Sequence, residues 1–267
     1  MNKVVEKKYL LAFILVTCCF ALWGFANDIT NPMVKAFSKI FRMSVTDGAL
    51  VQLAFYGGYF CMALPAALFV RKYSYKAGLL MGLGLYAVGA LMFIPAKATG
   101  NYYPFLIAYF VLTCGLSFLE TTANPYILSM GDKDTATRRL NLAQAFNPIG
   151  SLAGMFVAMQ FIQAKLNPMS TEERALLNED QFNAVKSADL AVLSRPYVII
   201  GAVLVVFFIV ILLLVKTQAK KEESTDQKFG PTVKRLWQNK PYRYGVTITS
   251  IWITTSICIY VYTPVSL

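Results

Sequence analysis

Of the 267 residues, 57% are hydrophobic and only 15% charged, and the mean hydropathy is +0.52. That composition excludes an ordinary soluble domain and places the chain among membrane proteins. The net charge of +11 does not mark a nucleic-acid binder, because the basic residues are spread over loops instead of gathering in one soluble patch.

A bilayer-spanning helix needs about 20 apolar residues, and seven runs approach that length. They are Tyr9 to Met33, Ala49 to Val70, Ala77 to Pro95, Tyr103 to Met130, Leu142 to Gln163, Pro196 to Val215 and Tyr244 to Val261. Barrel strands alternate apolar and polar residues, so continuous runs such as "VIIGAVLVVFFIVILLLV" (Val198 to Val215) predict helices. Residues 1–215 therefore read as a six-helix bundle, 216–243 as a polar linker opening "KTQAKKEESTDQK", and 244–267 as a seventh helix. Gly78 and Gly82, and Gly150 and Gly154, are spaced as small residues are where helix backbones approach closely.

Lysine and arginine alternate in number from loop to loop. Seventeen lie on the side shared by the N-terminus and the 216–243 linker, eight on the other. The positive-inside rule puts the N-terminus in the cytoplasm. The five cysteines fall inside apolar runs without metal-ligand spacing, and there is no histidine. No metal and no cofactor is expected.

Of the fourteen acidic residues, twelve, Asp189 among them, fall in predicted tails or loops. Two remain. Asp28 lies in "FANDITNPM" of the first run and Glu120 in "LSFLETTANPYIL" of the fourth. An ionisable group at helix-centre depth costs at least about 2.5 to 3.5 kcal/mol on insertion scales, so such residues usually face a bundle interior or a water-filled path. The bland alternatives are a protonated carboxyl bonded between helices, or an Asp28 near enough to the outer surface to be wet.

"DITNP" and "ETTANP" share an acid, a threonine two positions on, and Asn-Pro, in helices predicted to run in opposite directions. Inverted three-helix repeats are expected, with the two motifs meeting near the midplane. Pro32, Pro125 and Pro148 each remove the helical bond to the carbonyl four residues earlier, those of Asp28, Thr121 and Gln144. Freed carbonyls are tolerable where a cavity or side chain satisfies them. Gln144 and Asn147 share a helix face, as do Asp28 and Asn31, with Asn27 adjacent, and Glu120 and Asn124 are four apart. Amides and carboxylates in this pattern suit a polyol, and the acids can exchange a proton with the site as solute arrives. Trp23 reads either as a stacking platform for a sugar or, more simply, as packing.

The run "AFYGGYF...LPAALFVRKYSYKAG", then "LETTANP", then "NLAQAFNPIG" resembles the L-fucose/proton symporters and related glucose/galactose transporters of the major facilitator superfamily, over about Lys8 to Gly245. The resemblance implies an all-α membrane protein, the six-helix N-terminal bundle of a proton-driven sugar transporter in a bacterial inner membrane. It implies proton coupling by Glu120 and sugar contact by Gln144 and Asn147. In helix one the acid and amide are exchanged: Asn31 stands where the fucose symporter has aspartate, and Asp28 where it has asparagine. Past Gly245 the tail no longer resembles the family's seventh helix, so a truncated or frameshifted seventh helix and an absent C-terminal half are expected. The alternatives are a dimeric half-transporter, or an intramembrane enzyme using Asp28 and Glu120, which lacks a supporting nucleophile or metal constellation.

Overall fold

The computed structural model describes residues 4–215 and 235–248. Among them six helices are long and apolar enough to cross a membrane: α1 (Lys7–Thr30), α2 (Thr46–Lys72), α3 (Tyr75–Thr99), α4 (Tyr103–Ser129), α5 (Lys133–Lys165) and α6 (Glu179–Leu214). The all-helical class holds, with no strand among the described residues. Most of the expected linker and of the seventh run, residues 216–234 and 249–261, lies outside the described residues. Residues 235–238 and 240–248 are helical and belong to a second compact unit, Lys221–Leu267.

The largest departure from the sequence pattern is α6. The apolar run begins at Pro196, yet the helix starts about five turns earlier and has 36 residues. At 1.5 Å per residue it is about 54 Å long, against a hydrocarbon core of about 30 Å. Its first turns therefore project beyond the membrane. They are helical because Asn178 and Gln181 form a capping box and Glu179 and Asp180 sit in the first turn, where the helix dipole favours acids. A second capping box, Ser170 with Glu173, opens the short helix Thr171–Ala175 in the stretch that hydropathy reads as loop.

α1 lies along α5, α2 along α4, and α3 along both α4 and α6. Exchanging the first three helices with the last three maps α1–α5 onto α4–α2 and α3–α6 onto itself, as inverted repeats require. The α3–α4 seam breaks the symmetry, having no equally extensive α1–α6 counterpart. The α1–α5 seam is close because it is glycine-lined. A Cβ at Gly150 would strike the carbonyl oxygen of Ala21, one at Gly154 that of Phe25, and one at Gly24 that of Asn147. At Gly82 an added Cβ would meet Leu119 of α4. The packing reading of these glycines holds.

The two ends of the bundle are fastened differently. On the side where α1 begins, Arg139 is fully buried and donates to the carbonyls of Ile127, Leu128, Asp132 and Val4 and to the hydroxyl of Thr135. One guanidinium thus satisfies the open carbonyls at the end of α4 and ties the N-terminal segment to it. On the opposite side, Phe37 of the short helix Met33–Phe41 packs with Tyr102, Phe105 and Tyr109, while Phe93 stacks on Tyr197 at 4.1 Å. The hydroxyl of Tyr109 donates to that of Tyr197 at 2.7 Å, so both buried phenols are partnered.

Candidate functional site

Helix α1 ends at Thr30, and Pro32 caps the following helix Met33–Phe41. Pro32 therefore closes α1 instead of kinking it. Asp28, half-buried two residues before that end, accepts a hydrogen bond from the Asn31 amide at 2.8 Å, and Asn31 itself is exposed. Asn27 is half-buried, one turn beyond Trp23 on the same face. The Trp23 indole donates to the Tyr59 hydroxyl of α2 at 2.6 Å and its ring packs on Phe20, which is the packing role.

Glu120 occupies a different place. α4 continues through Pro125, and the Asn124 side-chain amide donates to the Glu120 carbonyl at 3.0 Å. The Gln144 amide of α5 donates in turn to the Asn124 side-chain oxygen at 2.9 Å. One turn along α5, Asn147 donates to the Phe20 carbonyl of α1 at 3.3 Å. α5 is interrupted at Ala145, between Ala136–Gln144 and Phe146–Val157, and Pro148 falls in the first turn of the second piece, where a missing N–H costs little. The Glu120 carboxyl itself, half-buried, takes part in no hydrogen bond or ion pair among the described residues, and lies within charge–charge reach of Tyr59.

The two acids sit at different places along their helices. Asp28 is about 27 Å from the first turn of α1 at Leu10, and Glu120 about 26 Å from the start of α4 at Tyr103. Equal distances along helices of opposite direction give mirror-image depths, which coincide only for a motif halfway along. Trp23 and Ser117 both reach Tyr59, the latter through its hydroxyl to the Tyr59 carbonyl at 3.4 Å. Asp28 stands two residues before the far end of α1, whereas Glu120 lies in the body of α4, nine residues before its end at Ser129. The expected site thus resolves into Glu120 with Asn124, Gln144 and Asn147 inside the bundle, and Asp28 with Asn27 and Asn31 near its far end. Asn124 and Tyr59 join the set. Their signals in sequence were an amide one turn from an acid and a tyrosine in a glycine-rich helix.

A third polar cluster went unread in the sequence. Asp189 is in α6, 2% exposed, and not in a loop. Its carboxylate is ion-paired at 2.5 Å with Arg174, which is 0% exposed, and also accepts from the Asn167 N–H at 2.8 Å. Arg174 further donates to the carbonyls of Met169 and Asn167, and Lys39 donates to the same Asn167 carbonyl at 2.6 Å. The cluster binds the α5–α6 connection to helix Met33–Phe41. The Asn178–Gln181 capping signature, followed by apolar residues flanking Asp189, was the available clue.

The geometry is that of a membrane bundle in which the Glu120 carboxyl has no hydrogen bond or ion pair among the described residues, and known proteins share the family and the fold. A family model described as Major Facilitator Superfamily matches residues 16–266. The L-fucose-proton symporter of Haemophilus influenzae is 48% identical over 260 residues, covering 96% of this chain and 61% of the relative. The L-fucose-proton symporter of Escherichia coli is 31% identical over 244 residues, covering 90% of this chain and 56% of the relative. The crystal structure of the Escherichia coli fucose:proton symporter superposes with a TM-score of 0.76 at 31% identity, over 90% of this chain and 58% of that one. The chain thus spans about three fifths of the length of the relatives it matches. It is a multi-pass membrane protein and belongs to the Major Facilitator Superfamily, with L-fucose-proton symporters among its relatives.

Proposed function

We propose that this bundle forms one wall of the solute path of a proton-coupled sugar symporter, carrying L-fucose or a related hexose. The observation that carries this reading is the Glu120 carboxyl, unpaired in the body of α4 and linked through Asn124 to Gln144. An acid so placed must change protonation or partner as the path is opened to either side. Gln144 keeps its amide oxygen and one N–H for sugar hydroxyls, and Asn147 keeps its side-chain oxygen. Asp28, with Asn27 and Asn31, is the outer station, where a second carboxyl meets solute and proton first. A second six-helix bundle completes the site, because alternating access needs two halves to rock about it. The membrane is a bacterial inner membrane with the N-terminus cytoplasmic, on the strength of the seventeen-to-eight charge asymmetry.

The test is labelled L-fucose, galactose and glucose uptake in cells expressing this chain joined to the remaining length of the Haemophilus influenzae relative. Glu120→Gln is expected to abolish proton-driven accumulation while sugar exchange at equal concentrations persists. Asn147→Ala is expected to weaken sugar binding itself. Uphill uptake unchanged in Glu120→Gln removes the coupling role. Saturable uptake by residues 1–267 alone replaces the two-bundle reading with a dimer of this chain. For topology, a cysteine placed at Ser224 in a cysteine-free background should escape an impermeant thiol reagent in intact cells.

A further inference from the structure

A cavity of about 170 Å³ opens on the far side of the bundle, lined by Pro32, Lys35, Ala36, Lys39, Gln163 and Leu166. It lies between the helix that comes after α1 and the end of α5, level with the two places where those spans leave the membrane. Two features of the chain build it. Lys35 and Lys39 recur at i and i+4, so two cations share one face of Met33–Phe41. On the facing side, α5 ends in a π-helical turn, Ala158–Ile162, directly before Gln163; such turns add a residue and re-aim the side chains beyond them.

The charge around this cavity is not balanced. Both nearby acids are already engaged. Asp189 is held by Arg174 and the Asn167 N–H, and Glu173 accepts from the Ser170 N–H at 2.6 Å. Lys39 spends one N–H on the Asn167 carbonyl and has two left. The fully buried Arg174 retains a buried Nη1 without a partner, and Arg42, whose guanidinium lies 3.5 Å from the centre of the Phe182 ring, retains buried Nε and Nη2 atoms without partners. Lys35 and Lys39 thus line the cavity, with Arg174 close to Lys39, where the two nearby carboxylates are spent.

We propose that this cavity is a binding site for a phosphate group, gripped by Lys35 and Lys39 with Gln163 donating a further hydrogen bond. Ammonium groups grip phosphate as point charges. At about 170 Å³ the cavity has room for a compact tetrahedral anion. It falls below the roughly 300 to 1,000 Å³ of ordinary small-molecule pockets. Burial first, and then the Arg174 guanidinium, push the Lys39 amine below its usual range, a strain that a bound anion relieves. Phosphate arrives there either as the headgroup of an anionic phospholipid or as the free ion. Its place at the membrane boundary, beside the exposed Phe161 with Lys165 over its ring, is where lipid phosphates lie.

The 267-residue protein, delipidated in a neutral detergent, should be titrated with phosphatidylglycerol under native mass spectrometry and with inorganic phosphate by calorimetry. The expected result is a dissociation constant at least tenfold weaker in Lys35→Gln/Lys39→Gln and unchanged in Lys97→Gln. Phosphatidylglycerol bound without competition by inorganic phosphate identifies the lipid source, and lysine-dependent binding of inorganic phosphate alone identifies the free ion. Equal binding by wild type and the double variant, or an equal loss in Lys97→Gln, overturns the site. Because Lys39 also holds the Asn167 carbonyl, Lys35→Gln at an exposed position and Lys39→Arg serve as folded controls. The first should weaken binding and the second preserve it.

Discussion

Glu120 and Asp189 are both carboxylates on membrane-crossing helices, and they are held in opposite ways. Asp189 is 2% exposed and bound on both oxygens, to the Arg174 guanidinium and the Asn167 N–H. Glu120 is half-buried, and its carboxyl has no hydrogen bond or ion pair among the described residues. A buried charge with its partners fixed has nothing left to exchange, so it serves architecture. An acid left without a partner, at a depth where charge is expensive, is free to trade a proton or accept from a solute. On the reading proposed above, the difference separates a strut from a working group without appeal to position along the chain.

The comparison is broken most forcefully at the strut. Arg174→Ala leaves Asp189 buried and uncompensated, which typically costs about 3 to 5 kcal/mol. We expect a matching fall in thermal stability in detergent. Replacing both partners by apolar residues, Arg174→Met with Asp189→Leu, should recover much of it, since well-packed apolar pairs often equal a buried ion pair. A double variant as unstable as the single one would mean that the backbone bonds of Arg174 to Met169 and Asn167, not the charge pair, hold the connection.

Next in size is the seam that carries Asn147. Gly150→Val drives a side chain into the Ala21 backbone, which cannot yield as a flexible side chain would. Overpacking of this kind costs about 1 to 3 kcal/mol. Gly57→Ala, whose new methyl would meet only the Phe110 ring at 3.9 Å, should be neutral within about 0.5 kcal/mol. Chemical denaturation of the two variants against wild type in one detergent decides between them. Equal losses would show that the close α1–α5 approach does not set the effect.

A smaller stability effect is expected at the working acid. Glu120→Gln keeps shape and removes a charge that nothing pairs, so stability should stay within about 0.5 kcal/mol while proton-driven uptake disappears. A loss of several kcal/mol would mean that Glu120 is itself a strut.

How far the sequence showed these two roles depends on the range over which each is determined. Glu120 stood out because its neighbours in the chain, "LSFLETTANPYIL", are apolar, and an apolar run long enough to span a membrane is visible to composition alone. Gly150 and Gly154 were legible for a similar reason, since small-residue spacing belongs to one helix. Asp189 was hidden because its burial is tertiary. The segment from Asn178 is polar overall, and only the fold brings Arg174 back across it. Arg139 was counted as a loop cation and is wholly buried, again because its acceptors lie on the chain as far away as Val4. The two-motif pattern pairs α1 with α4 by sequence, yet depth depends on where along each helix the motif falls. That placed Asp28 near the far end of α1 and Glu120 in the body of α4.

The smallest predicted effect tests whether Lys39 belongs to the strut or to the cavity beside it. Its amine is pushed below the usual lysine range by burial first and then by Arg174, with Asp189 and Glu173 opposing. In the folded chain it therefore loses its proton at a lower pH than in the unfolded chain, whose lysine titrates near 10.5. Between those two values the unfolded chain binds more protons, so stability rises with pH, and the cost of the charged amine is fully present below the window. We expect the melting temperature of wild type, relative to Lys39→Met, to climb as pH approaches 10.5 from below. Adding phosphatidylglycerol should flatten that climb if an anion in the cavity stabilises the charged amine. A difference that falls with pH would assign Lys39 to a net attractive environment governed by Asp189, making it part of the strut. A climb indifferent to the lipid and to inorganic phosphate would leave Lys39 desolvated but without an anion to meet.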